Sequence, residues 1–461
     1  MSVLSALRRA GEAASRVTER YIPDAWVVCM ALTTVAFALA IFGVGARPDE
    51  AVRVWGEGLW GLLRITMQFT IAVFAAYACV VSPVGFRMFD WLARVPNPER
   101  PLQAILLMAL FSNITGYLNW ALCFVASALF IPFLARRNPN TDVRLLVAAA
   151  FLGVGTVTNG GLSGSAALIM ATPHNPLIEP AVGAPIVDRL YPITETIFST
   201  FNLTVMGLLV LISVVMVMLL HPRGQVVTFS QEHLDRILPK PEPPPERTGT
   251  PASRLENARI WTWLAGGMIL YTLGYNIVTD GFGASWNINA YNAVFLGLAL
   301  LLHGNPLTFV RACRRGLDAA WGIVLQFPFY GGIFGLMTGT DLGVWLGDLF
   351  VQVSNQALYP LMVYGYSAVL NFFVPSGGSK WLIEAPYILA AGERLGVSDT
   401  TVLLAYIYGD SLTNLLHPYM AIPIMSITGL KFGEFAGYCF FVAIAILVVM
   451  TGAMLVIPPN L

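Results

Sequence analysis

The sequence predicts an all-α polytopic membrane protein, with an inverted repeat of about nine transmembrane spans and two re-entrant hairpins. The first observation is composition: 56% of the 461 residues are hydrophobic and only 11% are charged. The second is a series of apolar stretches long enough to cross ~30 Å of hydrocarbon. The third is a similarity between the two halves of the chain. The formal net charge of zero argues against a nucleic-acid partner, which would favour a basic excess.

The complete spans follow from apolar stretches of about 20 residues. We predict them at 24–44, 59–81, 193–220, 260–279, 317–337 and 434–457, with a shorter one at 289–302 and two interrupted ones at 145–172 and 400–427. Segment 1–23 carries four arginines in an amphipathic pattern. It predicts a cytoplasmic helix that lies on the membrane surface.

Two apolar stretches do not fit as single spans. Segments 102–134 and 358–392 are too long for one crossing and too short for two, and each has a polar middle. Two half-helices that enter and leave on one side explain both features. Two short, tilted spans with a loop between them are the alternative for each segment.

The distribution of basic residues supports this layout. With the N-terminus inside, 20 of the 26 Lys and Arg residues fall on the cytoplasmic side, as the positive-inside rule requires. The predicted domains are a first transmembrane half at 24–220, a proline-rich cytoplasmic linker at 221–259, expected to be flexible, and a second half at 260–461. The C-terminus is expected outside.

The two halves resemble each other in sequence. Segments 48–69 and 306–327 are identical at eight of 22 positions, including Gln68/Gln326 and Phe69/Phe327. Segments 161–173 and 411–423 align as well. Because 48–58 is predicted outside and 306–316 inside, the repeats are inverted. Inverted repeats with interrupted helices are typical of secondary transporters, with the binding site at the repeat interface. A duplication with only a structural role is the alternative.

Four polar interruptions are expected to meet near the membrane centre. They are the hairpin tips at 112–119 and 371–380 and the interrupted helices at 158–165 and 409–414. Helix starts offer unpaired N–H groups for an anion, and helix ends offer carbonyl oxygens for a cation. The amides of 375–378 are the first candidates for gripping a carboxylate. Asn119 and Asn371 are expected to donate to it, or alternatively to cap the hairpin turns.

Three ionisable residues fall deep in the second half, where a charge is costly and therefore indicates function. Lys380 and Glu384 are spaced i,i+4 and are expected to pair, in either a structural or a functional role. Asp410 has no evident partner in the sequence. It is expected to bind Na⁺ with Asn414, to carry a proton, or to cap the interruption.

Several motifs resemble the short-chain fatty acid transporter family of bacteria, over nearly the whole chain. They include Asn-Phe-Phe-Val-Pro-Ser-Gly-Gly at 371–378 and the motifs at 118–120, 160–165, 171–176, 326–330 and 408–410. The resemblance implies ion-coupled uptake of small monocarboxylates such as butyrate or acetoacetate across the bacterial inner (plasma) membrane. It also implies a homodimer, with a scaffold and a transport domain that moves as an elevator.

The chain departs from the family pattern at three places beside the predicted site. Lys380 stands where relatives tend to carry His or Gln, and Glu384 stands where a neutral amide is usual. The segment 417–423 also differs. The substrate and the coupling ion, Na⁺ or H⁺, therefore stay open.

The complete predicted site combines these residues. The substrate-binding residues are Asn119, Trp120, Asn159, Gly160, Gly161, Ser163, Ser165, Asn371, Ser376, Gly377, Gly378, Lys380 and Trp381. The coupling-cation residues are Asp410, Thr413, Asn414 and Asn159. No phosphate loop or nucleophile elbow is present, so we expect no enzymatic activity and no cofactor. The alternatives are an uncoupled carboxylate channel or facilitator, a membrane-embedded enzyme, and an exporter of another organic anion.

Overall fold

The computed structural model describes residues 23–222, 226–240, 243, 245 and 248–461, and across these ranges its regular structure is helical. The first half contains Ala25–Ala38, Pro48–Gly61, Leu63–Val80, Pro83–Leu92, Pro101–Leu118, Trp120–Arg137, Val143–Thr156, Ser165–Ala171 and Thr200–Leu219, with a π-helical turn at Leu39–Gly43. The linker contains Gln231–Ile237 and Pro251–Glu256. The second half contains Arg259–Asp280, Phe282–Ser285, Ile288–His303, Pro306–Gly339, Leu342–Val353, Tyr359–Asn371, Gly377–Arg394, Asp399–Leu412, Ile422–Thr428 and Phe432–Val456, with 3₁₀ turns at Asn414–Leu416 and Pro418–Ala421.

Seven helices of the described ranges are long and apolar enough to cross a membrane. They are Ala25–Gly43, Pro48–Val80, Pro101–Leu118, Trp120–Arg137, Thr200–Leu219, Pro306–Gly339 and Phe432–Val456. The predicted span 260–279 corresponds to the helix Arg259–Asp280, and 289–302 to Ile288–His303. The predicted surface helix at 1–23 falls outside the described residues up to position 22.

Some helix boundaries differ from those that hydropathy predicts. The stretch 193–220 becomes helical only at Thr200, where the hydroxyl of Ser199 accepts a hydrogen bond from the N–H of Asn202. The helix around 317–337 is 34 residues long and begins at Pro306, capped by Asn305. A hydropathy window finds the apolar part of such a helix and misses its polar first turns, which the cap and the N1 proline mark.

The two predicted hairpins are helix pairs with tight connections. Hairpin 1, Pro101–Leu118 and Trp120–Arg137, has Asn119 as its only connecting residue. Hairpin 2 consists of Tyr359–Asn371 and Gly377–Arg394, joined through residues 372–376. Both arms of hairpin 1 have 18 residues, and the re-entrant course of each hairpin stays a prediction.

Both predicted helix interruptions are present, but the second begins later than the predicted 409–414. Residues 409–412 are still helical, because the hydroxyl of Ser411 donates to the carbonyl oxygen of Ile407 within the helix, and the interruption covers 413–421. Interrupted helix 1 consists of Val143–Thr156 and Ser165–Ala171 with non-helical residues between them. Interrupted helix 2 consists of Asp399–Leu412 and Ile422–Thr428, with the two 3₁₀ turns between them. Each interruption exposes backbone groups inside the molecule, and these groups need partners.

The two segments that carry the sequence repeat pack against each other. Pro306–Gly339 runs along both Pro48–Gly61 and Leu63–Val80. The helices approach so closely at Gly58 that a Cβ atom there would lie 2.5 Å from the carbonyl oxygen of Gly331 and 2.8 Å from the Cα of Gly335. Small residues four apart allow such backbone contact between helices in a membrane.

Part of the linker is docked onto the first half rather than free. Val227 N–H donates to the carboxylate of Asp142 over 3.0 Å, and Arg136 Nη1 lies 3.3 Å from Asp235 Oδ1. His233 Nε2 lies 2.9 Å from the carbonyl oxygen of Thr428. We call residues 226–237 the strap, because they connect hairpin 1 with the end of interrupted helix 2.

The carboxylate that anchors the strap stays charged. Burial disfavours the ionised form of Asp142, but hydrogen bonds from Arg144 and from the N–H of Val227 outweigh it and hold the pKa of Asp142 below its usual value.

The Gly58 crossing generates a stability prediction. We expect Gly58→Ala to destabilise the protein by about 1–3 kcal/mol, because the added methyl group meets backbone atoms that cannot move aside. Gly56→Ala is the matched control in the same helix, since a Cβ atom there meets no atom within 4 Å. Thermal unfolding of the detergent-solubilised protein measures both. A Gly58→Ala variant as stable as Gly56→Ala would contradict the close crossing.

Candidate functional site

The tip of hairpin 1 is formed by one capping residue. The N–H of Asn119 donates to the carbonyl oxygen of Thr115 and completes the first arm. Its side-chain oxygen accepts from the N–H of Leu122 over 2.8 Å and caps the second arm. Asn119 is fully buried, and its side-chain nitrogen has no hydrogen-bond partner within the described residues.

Interrupted helix 1 meets this tip directly. The N–H of Leu162 donates to the carbonyl oxygen of Tyr117 over 2.8 Å, and the N–H of Trp120 donates to the hydroxyl of Ser163 over 2.9 Å. A Cβ atom at Gly161 would lie 2.5 Å from the Tyr117 oxygen, so only glycine fits there. One backbone group of the interruption is thereby paired with the backbone of the hairpin, and a side-chain hydroxyl of the interruption accepts from a second hairpin N–H.

Hairpin 2 contacts interrupted helix 2 in a similar way. The side-chain nitrogen of Asn371 lies 2.7–2.8 Å from three acceptors: the carbonyl oxygen of Asp410, Thr413 Oγ1 and Asn414 Oδ1. The side-chain nitrogen of Asn414 then donates to the carbonyl oxygen of Val154 over 3.1 Å. This chain of amides joins the second hairpin to both interrupted helices.

A cavity of about 290 Å³ lies where these elements converge. Its size is at the small end of the range for ligand pockets, ~300–1,000 Å³. The polar groups of its wall come from Thr158, Asn159, Ser165, Gln326, Ser376, Asp410 and Asn414. The apolar part comes from Phe69, Trp120, Phe124, Val154, Ile323, Phe327, Pro375 and Met420, with Gly322, Gly377, Gly378 and Ala319 completing the wall.

A helix starts at the cavity wall. Gly377 is the first residue of the 18-residue second arm of hairpin 2, and it lines the cavity together with Gly378. The first N–H groups of a helix have no partner within that helix and carry a partial positive charge. A Cβ atom at Gly377 would lie 3.1 Å from Asp410 Oδ2 and 3.2 Å from Asn159 Oδ1, so a side chain would crowd the cavity there.

A buried cluster of charges lies behind the cavity. Lys380 Nζ lies 2.8 Å from Asp410 Oδ1 and 3.6 Å from Glu384 Oε1. The predicted pairing of Lys380 with Glu384 is therefore the looser of two contacts, and Asp410 has the partner that the sequence did not indicate. Lys380 Nζ also donates to the hydroxyl of Ser367 over 2.6 Å and lies 4.6 Å from the ring centre of Tyr406. Asp410 Oδ2 accepts from Asn159 Nδ2 over 2.5 Å.

The predicted site residues divide into two groups in the structure. Those that line the cavity are Trp120, Asn159, Ser165, Ser376, Gly377, Gly378, Asp410 and Asn414. Those that support it from outside its wall are Asn119, Gly160, Gly161, Ser163, Asn371, Lys380, Trp381 and Thr413. Gly160 does not line the cavity, and its carbonyl oxygen accepts a hydrogen bond from Asn202 Nδ2 over 2.9 Å.

Sequence reasoning missed several residues of the site. Phe69 and Phe327 both line the cavity, with ring centres 5.7 Å apart. They occupy equivalent positions of the sequence repeat, which was the available signal. Ser367 and Tyr406 hold Lys380 from other helices, and no sequence spacing indicates those contacts.

Two solved structures share this fold. The YdaH transporter of Alcanivorax borkumensis matches with a TM-score of 0.62 and 16% identity, covering 94% of this chain and 97% of that one. MtrF of Neisseria gonorrhoeae, from a class of antimetabolite efflux pumps, matches with a TM-score of 0.55 and 13% identity, covering 97% of each chain. At these identities the likeness concerns the fold.

The sequence assigns the family. Residues 6–457 match the family Short chain fatty acid transporter. A relative from Escherichia coli K12 that carries the family's name is 32% identical over 432 residues, covering 92% of this chain and 94% of the relative. One from Haemophilus influenzae is 30% identical over 425 residues, covering 91% and 93%. The chain belongs to the short-chain fatty acid transporter family, as the motifs predicted. It is therefore a multi-pass membrane protein with a small-molecule substrate.

Asn371 is expected to be the main polar connection in the site. We expect Asn371→Leu, which keeps the approximate size, to cost about 1–3 kcal/mol because the buried acceptors that share its two side-chain N–H groups lose their donor. Asn276→Leu, on an exposed position of Arg259–Asp280, is the control. Thermal unfolding in detergent compares the two, and equal stabilities would refute the connecting role of Asn371.

Proposed function

We propose that this protein is a cation-coupled symporter of short-chain fatty acids or related small monocarboxylates, such as butyrate or acetoacetate. The observation that carries the proposal is the cavity, which combines the start of a helix at Gly377 with an aromatic and aliphatic wall. A carboxylate suits the unpaired N–H groups, and a short acyl chain suits Phe69, Phe327 and their apolar neighbours. The family assignment supports the same substrate class.

The electrostatics of the wall fit a small anion that arrives with a cation. Asp410 is the one ionisable side chain among the residues that line the cavity, and its charge is offset by Lys380. The wall therefore supplies no full positive charge for the carboxylate. Hydroxyl groups of Ser165 and Ser376 and the helix start supply donors instead. A cation that accompanies the substrate would keep the loaded site near neutrality.

The wider layout is part of the proposal. We place the protein in the bacterial inner membrane, with the N-terminus in the cytoplasm, the C-terminus outside and both hairpins re-entrant. The excess of Lys and Arg in the predicted cytoplasmic segments supports this orientation. We also propose a homodimer in which the unit that carries both hairpins moves as an elevator. The first and second halves of each chain are related by an inverted repeat in this proposal.

Uptake of radiolabelled butyrate into proteoliposomes tests the substrate class. The rate into protein-free liposomes is subtracted, because the free acid crosses bilayers. We expect saturable uptake and accumulation against the butyrate gradient when an inward cation gradient is imposed. Saturable equilibration without accumulation would indicate a facilitator, and no uptake above leak would refute this substrate class.

Gly322→Leu is the sharpest variant for the cavity. Gly322 lines the cavity, and the nearest side-chain atom to an added Cβ is Gln326 Nε2 at 3.9 Å. Leucine would therefore fill the substrate's space without striking the backbone. We expect a cost of about 1–3 kcal/mol in substrate binding, which corresponds to a rise in KM of roughly fivefold to 150-fold.

The control is Gly274→Leu, where a Cβ atom meets no atom within 4 Å on an exposed helix position. It is expected to transport butyrate as the wild type does. A Gly322→Leu variant with the wild-type KM would show that butyrate binds elsewhere.

A further inference from the structure

The buried charge cluster has one more acidic group than basic groups. Lys380, Glu384 and Asp410 have relative exposures of 0%, 0% and 2%. If all three were ionised, the cluster would carry one uncompensated negative charge in the interior. An isolated buried charge is so costly that the group usually takes up a proton instead.

Hydrogen bonding distinguishes the two carboxylates. Asp410 Oδ2 accepts a hydrogen bond from the Asn159 amide. Asp410 Oδ1 has no hydrogen-bond partner within the described residues, but it forms an ion pair with Lys380 Nζ over 2.8 Å. Glu384 is 3.6 Å from Lys380 Nζ, and neither of its oxygens has a hydrogen-bond partner within the described residues. The surroundings therefore support the charge of Asp410 and leave that of Glu384 unsupported.

The other titratable groups around Glu384 do not supply the missing positive charge. Its electrostatic neighbours besides Lys380 and Asp410 are Tyr359 and Tyr366 from the first arm of hairpin 2, Tyr387 from its own helix and Tyr406 from interrupted helix 2. Tyr359 donates to the carbonyl oxygen of Ile388, and Tyr406 to that of Gly377. On the neighbouring helix Leu342–Val353, Asp348 is paired with Arg394 at the far end of the arm.

The ammonium group of Lys380 is surrounded by oxygen atoms in the way that a bound metal cation is. It lies within 2.6–2.9 Å of three oxygens: Asp410 Oδ1 and both the hydroxyl and the carbonyl oxygen of Ser367. Two of the other oxygens expected to bind Na⁺ already have a hydrogen-bond donor close by. Asn371 approaches both Thr413 Oγ1 and Asn414 Oδ1.

Glu384 also lies between two cavities. Its helix lines the 290 Å³ cavity at Gly377 and Gly378. From about half a turn to two and a half turns after Glu384, the same helix lines a second cavity of about 1260 Å³, through Pro386, Leu389, Ala390 and Glu393. Glu384 itself lines neither cavity, but along the helix it lies between the residues that line the smaller cavity and those that line the larger one.

We propose that the coupling ion is a proton carried by Glu384, while Lys380 serves as a tethered cation that replaces Na⁺ beside Asp410. The proposal rests on the symport function above and names its ion. The Glu384 carboxylate takes up a proton on the side where the substrate anion enters. It releases the proton on the side where the anion leaves, so each cycle moves one anion and one proton without net charge. A bound carboxylate near Asp410 raises the cost of ionising Glu384, which couples the two events.

A spectroscopic measurement tests the proton independently of any substrate. We expect the infrared spectrum of the purified protein at neutral pH to contain the carbonyl stretch of a protonated carboxylic acid. The band should disappear in Glu384→Gln and persist in Glu256→Gln, a change at an exposed position in the linker. A wild-type spectrum without the band would overturn the proposal, whether or not the protein transports butyrate.

Thermal stability tests the tethered cation. At constant ionic strength, replacing choline by Na⁺ should leave the unfolding temperature of the wild type unchanged. In Lys380→Ala the vacated oxygens should bind Na⁺, and the unfolding temperature should rise with Na⁺ concentration as ligand linkage requires. A wild-type protein that Na⁺ stabilises would contradict the assignment.

Transport measurements test the coupling. Acetoacetate-dependent proton entry, followed with an internal pH dye, is compared with acetoacetate exchange at equal concentrations on both sides. In Glu384→Gln we expect the ratio of proton entry to exchange to fall roughly tenfold, equivalent to about 1.4 kcal/mol of lost coupling. Wild-type accumulation that requires Na⁺ and persists in Glu384→Gln would overturn the proposal. A lack of exchange in the wild type would refute the acetoacetate substrate class, while the infrared result would still decide the protonation of Glu384.

Discussion

Helices that stop inside an apolar interior impose the constraint on which the rest of the site depends. Each interruption releases N–H and C=O groups, and in an apolar interior each such group is costly without a partner. The structure satisfies them by bringing interruptions together: Leu162 bonds to Tyr117 at the tip of hairpin 1, and Asn371 bonds to Asp410 at the interruption of interrupted helix 2. The chain therefore provides hydrogen-bond partners for released backbone groups by bringing the hairpins and the interruptions together. The cavity forms at the place where these elements meet.

The buried charge cluster adds a second requirement beside the cavity, which is that the Lys380 ammonium group needs oxygen partners. Lys380 has its full complement of close oxygens only because Ser367 and Asp410 come from two other helices. Glu384 is left out of this arrangement. The same packing therefore gives the Asp410 carboxylate an ion pair and a hydrogen bond, and leaves the neighbouring Glu384 carboxylate without a hydrogen-bond partner within the described residues. This difference between adjacent groups is a common basis of proton transfer in proteins.

The sequence predicted those parts of the arrangement that produce a pattern within a short stretch of residues. Polar residues inside apolar stretches marked both hairpin tips and both interruptions, and the repeat paired Phe69 with Phe327, which meet at the cavity. Contacts between distant segments produced no such pattern. The i,i+4 spacing drew attention to Lys380 and Glu384, yet the closer partner, Asp410, follows Lys380 by 30 positions and is brought to it by tertiary packing. The start of the helix at Pro306 was missed because hydropathy weighs apolar content and disregards the cap.

The strap decides where the chain is best divided into two co-expressed polypeptides. Residues 226–237 are held by Asp142 and Arg136 from the first half and by Thr428 from the second. If the gene were split before Gln231 for co-expression, the strap would be divided, and its contacts with the first half would no longer all come from one polypeptide. A cut placed after Ile237 leaves the strap on the first polypeptide, where it presents a ready docking point for the second one.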